Sequence, residues 1–276
     1  WALPLDLNTL QIAYNKNTFE ELNLSVPKTN SDLIATAKSL KDADYFGIAL
    51  GTKDKWAGGD TWFAQLVYTD PTGMKLAEAD SGALGWDDKV FSEAASQVIN
   101  LIENGVFAPG ANSMGAFNES LDLFVSGKAA MFYPVGNFIS GGIDAKVAGE
   151  FEWSLFPFPG GSGDEPTATG GIARMFSLPA GGDQNGLAAD FLRMLTDKQG
   201  EEVLVKYNFI PSWPINVPAS ASDLYGNFTS AQLNARSRTI YTPPVYAALL
   251  DGIQAAFNGS TTGEQLAGSM DAAANN

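Results

Sequence analysis

Strand-type and helix-type periodicities take turns along the first 156 residues, and this alternation constrains the fold more than any other feature. Residues 9–15 alternate, with Leu10, Ile12 and Tyr14 on one side, and predict a strand. Ser31 stands where it can cap a helix over 32–41, in which Leu33, Ala37 and Leu40 share a face. A short apolar strand follows over 46–50, and after a Gly58-Gly59 turn comes a helix over 61–67. Asp87 or Asp88 opens the clearest helix. Its Phe91, Ala94, Val98, Leu101 and Ile102 recur at helical spacing, with Gly105 just past its end. Asn118 is expected to cap a helix that runs to Val125, and 129–133 and 151–156 read as strands. Such an order argues for an α/β domain with a mostly parallel sheet.

The pattern breaks at 157–166, where Phe-Pro-Phe-Pro-Gly-Gly-Ser-Gly-Asp-Glu-Pro cannot hold a regular element and reads as a surface loop at a boundary. Beyond it lie a strand (175–178), helices over 187–196 and 200–206, a looser stretch (211–234), and helices near 245–257 and 264–274.

Charge and residue types exclude several functions. The formal charge of −15, from 16 basic and 31 acidic residues without blocks, makes phosphate backbones and anionic lipid poor partners, so no nucleic acid is expected. No run of about 18 apolar residues encodes a span. The chain has no His and no Cys. Nucleophile systems that need an imidazole, and zinc sites, therefore have no residues to build on, whereas carboxylate chemistry stays open. The Ser126-Gly-Lys-Ala129 run lacks the P-loop's first Gly and closing Ser/Thr, and Ser113 has no His to activate it. No calcium loop occurs.

Several motifs stand in a telling order: Trp1-Ala-Leu-Pro4 before a strand ending Tyr14-Asn-Lys16, then Pro27-Lys28-Thr29 at a helix start, Gly127-Lys-Ala-Ala-Met131 leading to Gly136-Asn-Phe138, Thr169-Gly-Gly171, and closing amphipathic helices. With them the chain resembles the extracellular solute-binding proteins of carbohydrate ABC importers, the maltose-binding-like family, over essentially its whole length. The resemblance implies a periplasmic-binding-protein-like (type II) α/β fold of two lobes with a hinge, the C-terminal lobe larger and complete, the N-terminal lobe partial. It assigns 1–167 to the first part of the C-terminal-type lobe, 168–218 to a partial N-terminal-type lobe, and 219–276 to helices returning to the first. Family members carry about a hundred further residues before this start, the size of a small domain, so a missing N-terminal segment is an expected partner. The implied function is reversible binding of a mono- or oligosaccharide between the lobes and its delivery to a membrane permease. The implied location is extracytoplasmic, in the periplasm or lipid-anchored at a bacterial surface. Neither enzymatic activity nor a cofactor is implied.

A carbohydrate cleft needs flat rings against sugar C–H faces beside polar groups that take up the hydroxyls. In Lys55-Trp-Ala-Gly-Gly-Asp-Thr-Trp62, Trp56 is placed to stack and Asp60 to accept hydroxyls; otherwise Asp60 caps a helix and Trp62 packs in the core. Asn137 and Phe138 follow a strand, where ligands of open α/β sheets sit, and Phe138 stands where the family usually has Trp. Tyr246, with Tyr241 as the rival for its register, resembles a late aromatic platform. From the opposite lobe, Gly170 and Gly171 can bring backbone N–H groups near sugar oxygens, and Arg174 is either a bidentate donor or a solvated strand-end charge. Asp6 and Asn8 sit near the crossover between lobes. Two rival readings remain, a carboxylate glycoside hydrolase and a non-catalytic surface or adhesion domain.

Overall fold

The computed structural model describes residues 2–160, 168–182, 186–217, 221–233, 235–237 and 241–276. Among them seven strands join one sheet: β1 (Ala2–Asn15), β2 (Phe46–Ala49), β3 (Ala129–Val135), β4 (Trp153–Pro157), β5 (Thr169–Ser177), β6 (Ile210–Pro211) and β7 (Arg236–Ser237). The long β1 is the axis. Its second half lies antiparallel to β3, Gln11 opposite Val135, and to β4, Ile12 opposite Phe156. The first half lies antiparallel to β5, Ala2 opposite Ser177 and Thr9 opposite Gly170, and to β6. Only β2–β3 and β5–β7 are parallel. The sheet is therefore mixed, which corrects the expectation of a mostly parallel one: β1 passes from one region into the other, and strands of both regions add to it by running back.

The helices in chain order are α1 (Lys16–Glu21), α2 (Asn30–Asp42), α3 (Trp56–Thr69), α4 (Met74–Asp80), α5 (Lys89–Glu103), α6 (Glu119–Val125), α7 (Asn137–Val147), α8 (Leu187–Leu195), α9 (Lys198–Lys206), α10 (Asp223–Leu233), α11 (Pro243–Phe257) and α12 (Gly263–Ala274). Local chemistry sets their ends. Thr29, not Ser31, caps α2, because its hydroxyl accepts from the Asp32 amide at 3.1 Å while the Asp32 carboxylate accepts from the Thr29 amide at 3.0 Å. Asp88 caps α5, as the sequence suggests, and Thr262 with Gln265 repeats the reciprocal cap at α12. Asn118 precedes α6 without a side-chain cap. The Glu119 carboxylate accepts from the Gly115 amide at 2.8 Å, which ties the preceding turn to the start of α6. The stretch expected to be loose contains α10, and the expected loop at Gly136-Asn-Phe138 is instead the start of α7.

Two layers of helix cover the sheet half built on β2, β3 and β4. On one face Ile12, Ile48, Met131 and Tyr133 pack with Leu33 and Leu40 of α2; on the other Ala13, Phe132 and Val135 pack with Phe124 of α6, Ile143 of α7 and Phe228 of α10. The all-apolar β3 reads as a strand buried on both faces. A third cluster joins α3, α5, α11 and α12 through Trp62, Phe91, Val98, Ile253 and Met270. Packing there is close enough to explain why Gly58 and Gly59 lie inside α3 rather than in the expected turn: an added Cβ would stand 2.8 Å from Ile253 Cγ2 or 2.6 Å from Leu250 Cδ2 of α11.

The segment from β5 to β6 differs. No residue of α8 is buried, and Met175, Leu187, Phe191, Met194, Val203 and Tyr207 are exposed. The turn at 157–166 is described only to Gly160; there the Tyr68 hydroxyl and the Gln65 amide donate to the carbonyls of Phe158 (2.7 Å) and Pro159 (3.1 Å).

Candidate functional site

β2 and β3 run parallel, Ile48 opposite Met131, so their carboxyl ends share one edge of the sheet. The chain leaves β2 through a short loop into α3, which Trp56 opens, and leaves β3 through Gly136 into α7, which Asn137 and Phe138 open. Because β1 is antiparallel to β3 with Gln11 opposite Val135, the residues before Gln11, Asn8 and Asp6 among them, continue past that same edge. The topology thus brings the residues that open α3 and α7 to the edge past which Asn8 and Asp6 run, the place where open α/β sheets take ligands.

Trp56 is half-buried and tilts against Phe117, with ring centroids 5.3 Å apart. Lys55, at positive φ, turns the chain into α3 and is ion-paired with Asp251 of α11. Asp60 lies one helical turn beyond Trp56 on the same face and is 3 % exposed. It is not a cap, because α3 begins four residues earlier. Trp62 is fully buried and its indole N–H donates to the Phe91 carbonyl at 3.4 Å, the core role foreseen for it. Tyr246 is half-buried in the first turns of α11, where its Cε2 would stand 4.0 Å from a Cβ on Gly59. It stacks on Tyr241, centroids 5.7 Å apart and planes 1° from parallel, and Tyr241 in turn meets Trp62 and Trp86. Trp56 and Asp60 thus share the first turns of α3, and Tyr246 of α11 approaches that helix at Gly59. Trp56 leans on one core cluster and Tyr246 on another.

The remaining candidates lie on the crossover ladder. Asn8 pairs with Gly171 and Thr9 with Gly170. A Cβ on Gly170 would stand 2.6 Å from the Asn8 carbonyl oxygen, and Gly171 has φ +136°, so both glycines answer to backbone geometry whatever else they do. Arg174 is mid-strand rather than at a strand end. It donates from Nε (2.9 Å) and Nη2 (2.5 Å) to the two oxygens of a wholly buried Asp6, and its guanidinium lies 4.0 Å over the Phe209 ring.

Sequence reasoning missed Phe117, which supports Trp56, and the turn that carries it. The Asp54 carboxylate accepts from the Ala116 amide at 3.2 Å and Glu119 from Gly115. The Glu119 carboxyl is held below the usual carboxylate range by its own backbone N–H and then by that of Gly115. Nothing periodic marks Phe117; the only local signal is the Asn118-Glu119 pair at a helix start. Among the described residues no cluster of three or more carboxylates could hold a metal ion.

Residues 1–202, nearly three quarters of the chain, match the family model described as bacterial extracellular solute-binding protein. The chain belongs to that family. This solute-binding protein is 25% identical over 230 residues to the multiple sugar-binding protein of Streptococcus mutans serotype c, an alignment covering 81% of this chain and 53% of the relative, so it spans about half the length of the curated relative it matches. Among solved structures it is similar to a chitin oligosaccharide binding protein, with TM-score 0.84 and 20% identity over 99% of this chain and 70% of the other. The GacH receptor of Streptomyces glaucescens, solved unliganded and with acarbose, gives TM-score 0.81 and 19% identity over 100% of this chain and 70% of its own. These likenesses show the type II periplasmic-binding fold, and the family is one of binding proteins rather than enzymes.

Proposed function

We propose that this solute-binding protein is the sugar-binding component of an ABC importer, taking a mono- or oligosaccharide at the sheet edge described above and passing it to a membrane permease. One observation carries the reading: the half-buried Trp56 opens α3, the half-buried Tyr246 of α11 comes close to the same helix at Gly59, and the buried Asp60 follows there, in a chain of a solute-binding family. Rings at such positions offer apolar faces to sugar C–H groups, and a buried carboxylate accepts hydroxyls in a low-dielectric setting. Asn8, Gly170 and Gly171 form the floor along the crossover; Asn137 and Phe138 join the reading only through their place at the start of α7 after β3, since their side chains lie outside the described ones. The names of the relatives support the ligand class, since they bind chitin oligosaccharide, multiple sugars and acarbose.

In this reading residues 1–167 and 219–276 form the larger lobe and 168–218 part of a smaller one. The exposed apolar side chains of β5, α8 and α9 make a bare face, and large bare apolar faces mark interaction surfaces. A further N-terminal segment would cover it and complete the cleft, with closure by bending at the crossover strands. The protein works outside the cytoplasm, in a periplasm or anchored by lipid at the cell surface. Calorimetry against a glycan panel, with product analysis, tests the proposal: binding without turnover is expected, turnover would reveal a glycoside hydrolase, and no binding with the preceding segment supplied would leave a surface or adhesion role.

A further inference from the structure

The β1–β5 ladder is irregular at one place only, and a charged pair sits in it. Pro4 faces Met175, Asp6 faces Arg174 and Leu7 faces Ile172, so Leu5 is an extra residue on β1 and Ala173 an extra residue on β5, one on each side of the Asp6–Arg174 rung. Opposed bulges interrupt the ladder and raise local twist. Register beside them must then be fixed by side chains, because a slip by one residue would turn every following side chain to the wrong face. The rung itself is fixed. Both oxygens of the wholly buried Asp6 take hydrogen bonds from Arg174, and the guanidinium is pressed on Phe209 in the segment leading into β6. β6 pairs with β1 at Asp6 and Leu7, and its end is strapped by Ser212, whose amide donates to the Leu5 carbonyl (3.1 Å) and hydroxyl to that of Pro4 (2.7 Å). Three crossing strands thus meet at one ion pair.

We infer that Asp6 and Arg174 are a positioning pair, a pin that holds register at the one weak rung of the crossover, and not ligand-binding groups. The inference does not depend on the sugar-binding reading. A pin with a buried carboxylate has a particular signature. Removing Arg174 strands a buried charge, whereas neutralising Asp6 leaves a half-exposed guanidinium that water can solvate, so the two losses are unequal and the second repairs the first.

Hydrogen exchange on the 276-residue chain, read by mass spectrometry, tests this without any sugar. Arg174→Gln should speed exchange of residues 3–8 and 171–176 by about tenfold, the factor that matches a typical coupling between contacting side chains, while α5 and α12 keep their protection. Asp6→Asn should do less. The Asp6→Asn/Arg174→Gln double variant should exchange more slowly than Arg174→Gln alone, and Arg174→Lys, which keeps charge without the fork, should fall between wild type and Arg174→Gln. Unchanged exchange in Arg174→Gln, an increase shared equally by α5 and α12, or a double variant at least as fast as Arg174→Gln would each overturn the pin. Should Arg174→Gln fail to fold, folding of the double variant upholds the pin and its failure refutes it.

Discussion

The helices of the α3, α5, α11 and α12 cluster and those beside β5 have similar amphipathic sequences and opposite fates. In α5, Phe91, Ala94 and Val98 are buried against α3, α11 and α12, and Leu101 is buried with Leu33, Leu40 and Ile48. In α8 the corresponding stripe, Leu187, Phe191 and Met194, faces outward, with Phe191 47 % exposed. An amphipathic pattern specifies which face of a helix needs a partner; whether the partner is present is a property of the rest of the chain. Stability should accordingly be concentrated in one region.

Truncating one aromatic from each region should separate the two most clearly. Trp62→Ala removes a fully buried side chain and should cost about 3–5 kcal/mol in urea unfolding. Phe191→Ala removes an exposed one and should stay within about 0.5 kcal/mol, as surface changes do. Equal losses would mean that α8 is packed in solution and that the contrast is not real.

Trp56→Ala separates site from core within the larger region. The ring is half-buried beside Phe117, so part of its surface already serves packing. Base–aromatic stacking offers a scale of about 1–3 kcal/mol for a lost platform, and the loss should appear in affinity for the best-binding glycan of the panel, measured by calorimetry, more than in the unfolding midpoint. A variant that loses stability and keeps affinity would return Trp56 to the core.

How far the sequence reached follows the same line. Helices α2, α5, α11 and α12 are legible from periodicity, and Asp88 is the cap expected at α5, whereas α2 is capped by Thr29 and not by Ser31. The first half of β1 was not, since Pro4, Asp6 and Asn8 break the apolar alternation and pairing with β5 holds it as a strand. Gly58-Gly59 reads locally as a turn, and only the closeness of α11 shows why glycine belongs in that helix. Gly141-Gly142 hid α7 in the same way. At the site, residue types and loop positions point to Trp56 and Asp60 on the first turns of α3 and to Tyr246 on α11; the Asp6–Arg174 pairing needs a cross-strand register that no single stretch of sequence displays.

Caps give a finer comparison. Thr29 accepts from the Asp32 amide at α2, and Asp197 accepts from the Gly200 amide (2.9 Å) at α9. Each bond should be worth about 1 kcal/mol. Because Leu33 and Leu40 tie α2 into the main core, Thr29→Ala should lower global stability by that amount. α9 buries only Leu204 and Val205, so Asp197→Ala should fray α9, seen as faster hydrogen exchange of its first turn, with little change in the global midpoint. Matching global losses from the two variants would show that α9 unfolds with the main body.

The smallest effect uses pH on the same cap. Asp32 is mostly solvent-exposed, and its carboxyl is held below the ordinary carboxylate value first by the Thr29 hydroxyl and then by the backbone amides of Lys28 and Thr29. A group whose pKa is lower in the folded state binds fewer protons there than in the unfolded chain, so its contribution is fully present above the unfolded value near 3.9 and is lost as pH falls through the folded one. Asp32→Asn keeps an oxygen that can accept from the Thr29 amide but cannot titrate. Wild type should therefore exceed Asp32→Asn in stability from about pH 5 upward, and the gap should close only below the ordinary carboxylate range. Urea midpoints of both proteins from neutral pH to pH 3 decide it: a gap constant across that range would remove the charge from the cap, while a gap that closes places the titrating group at the start of a helix bound to the main core.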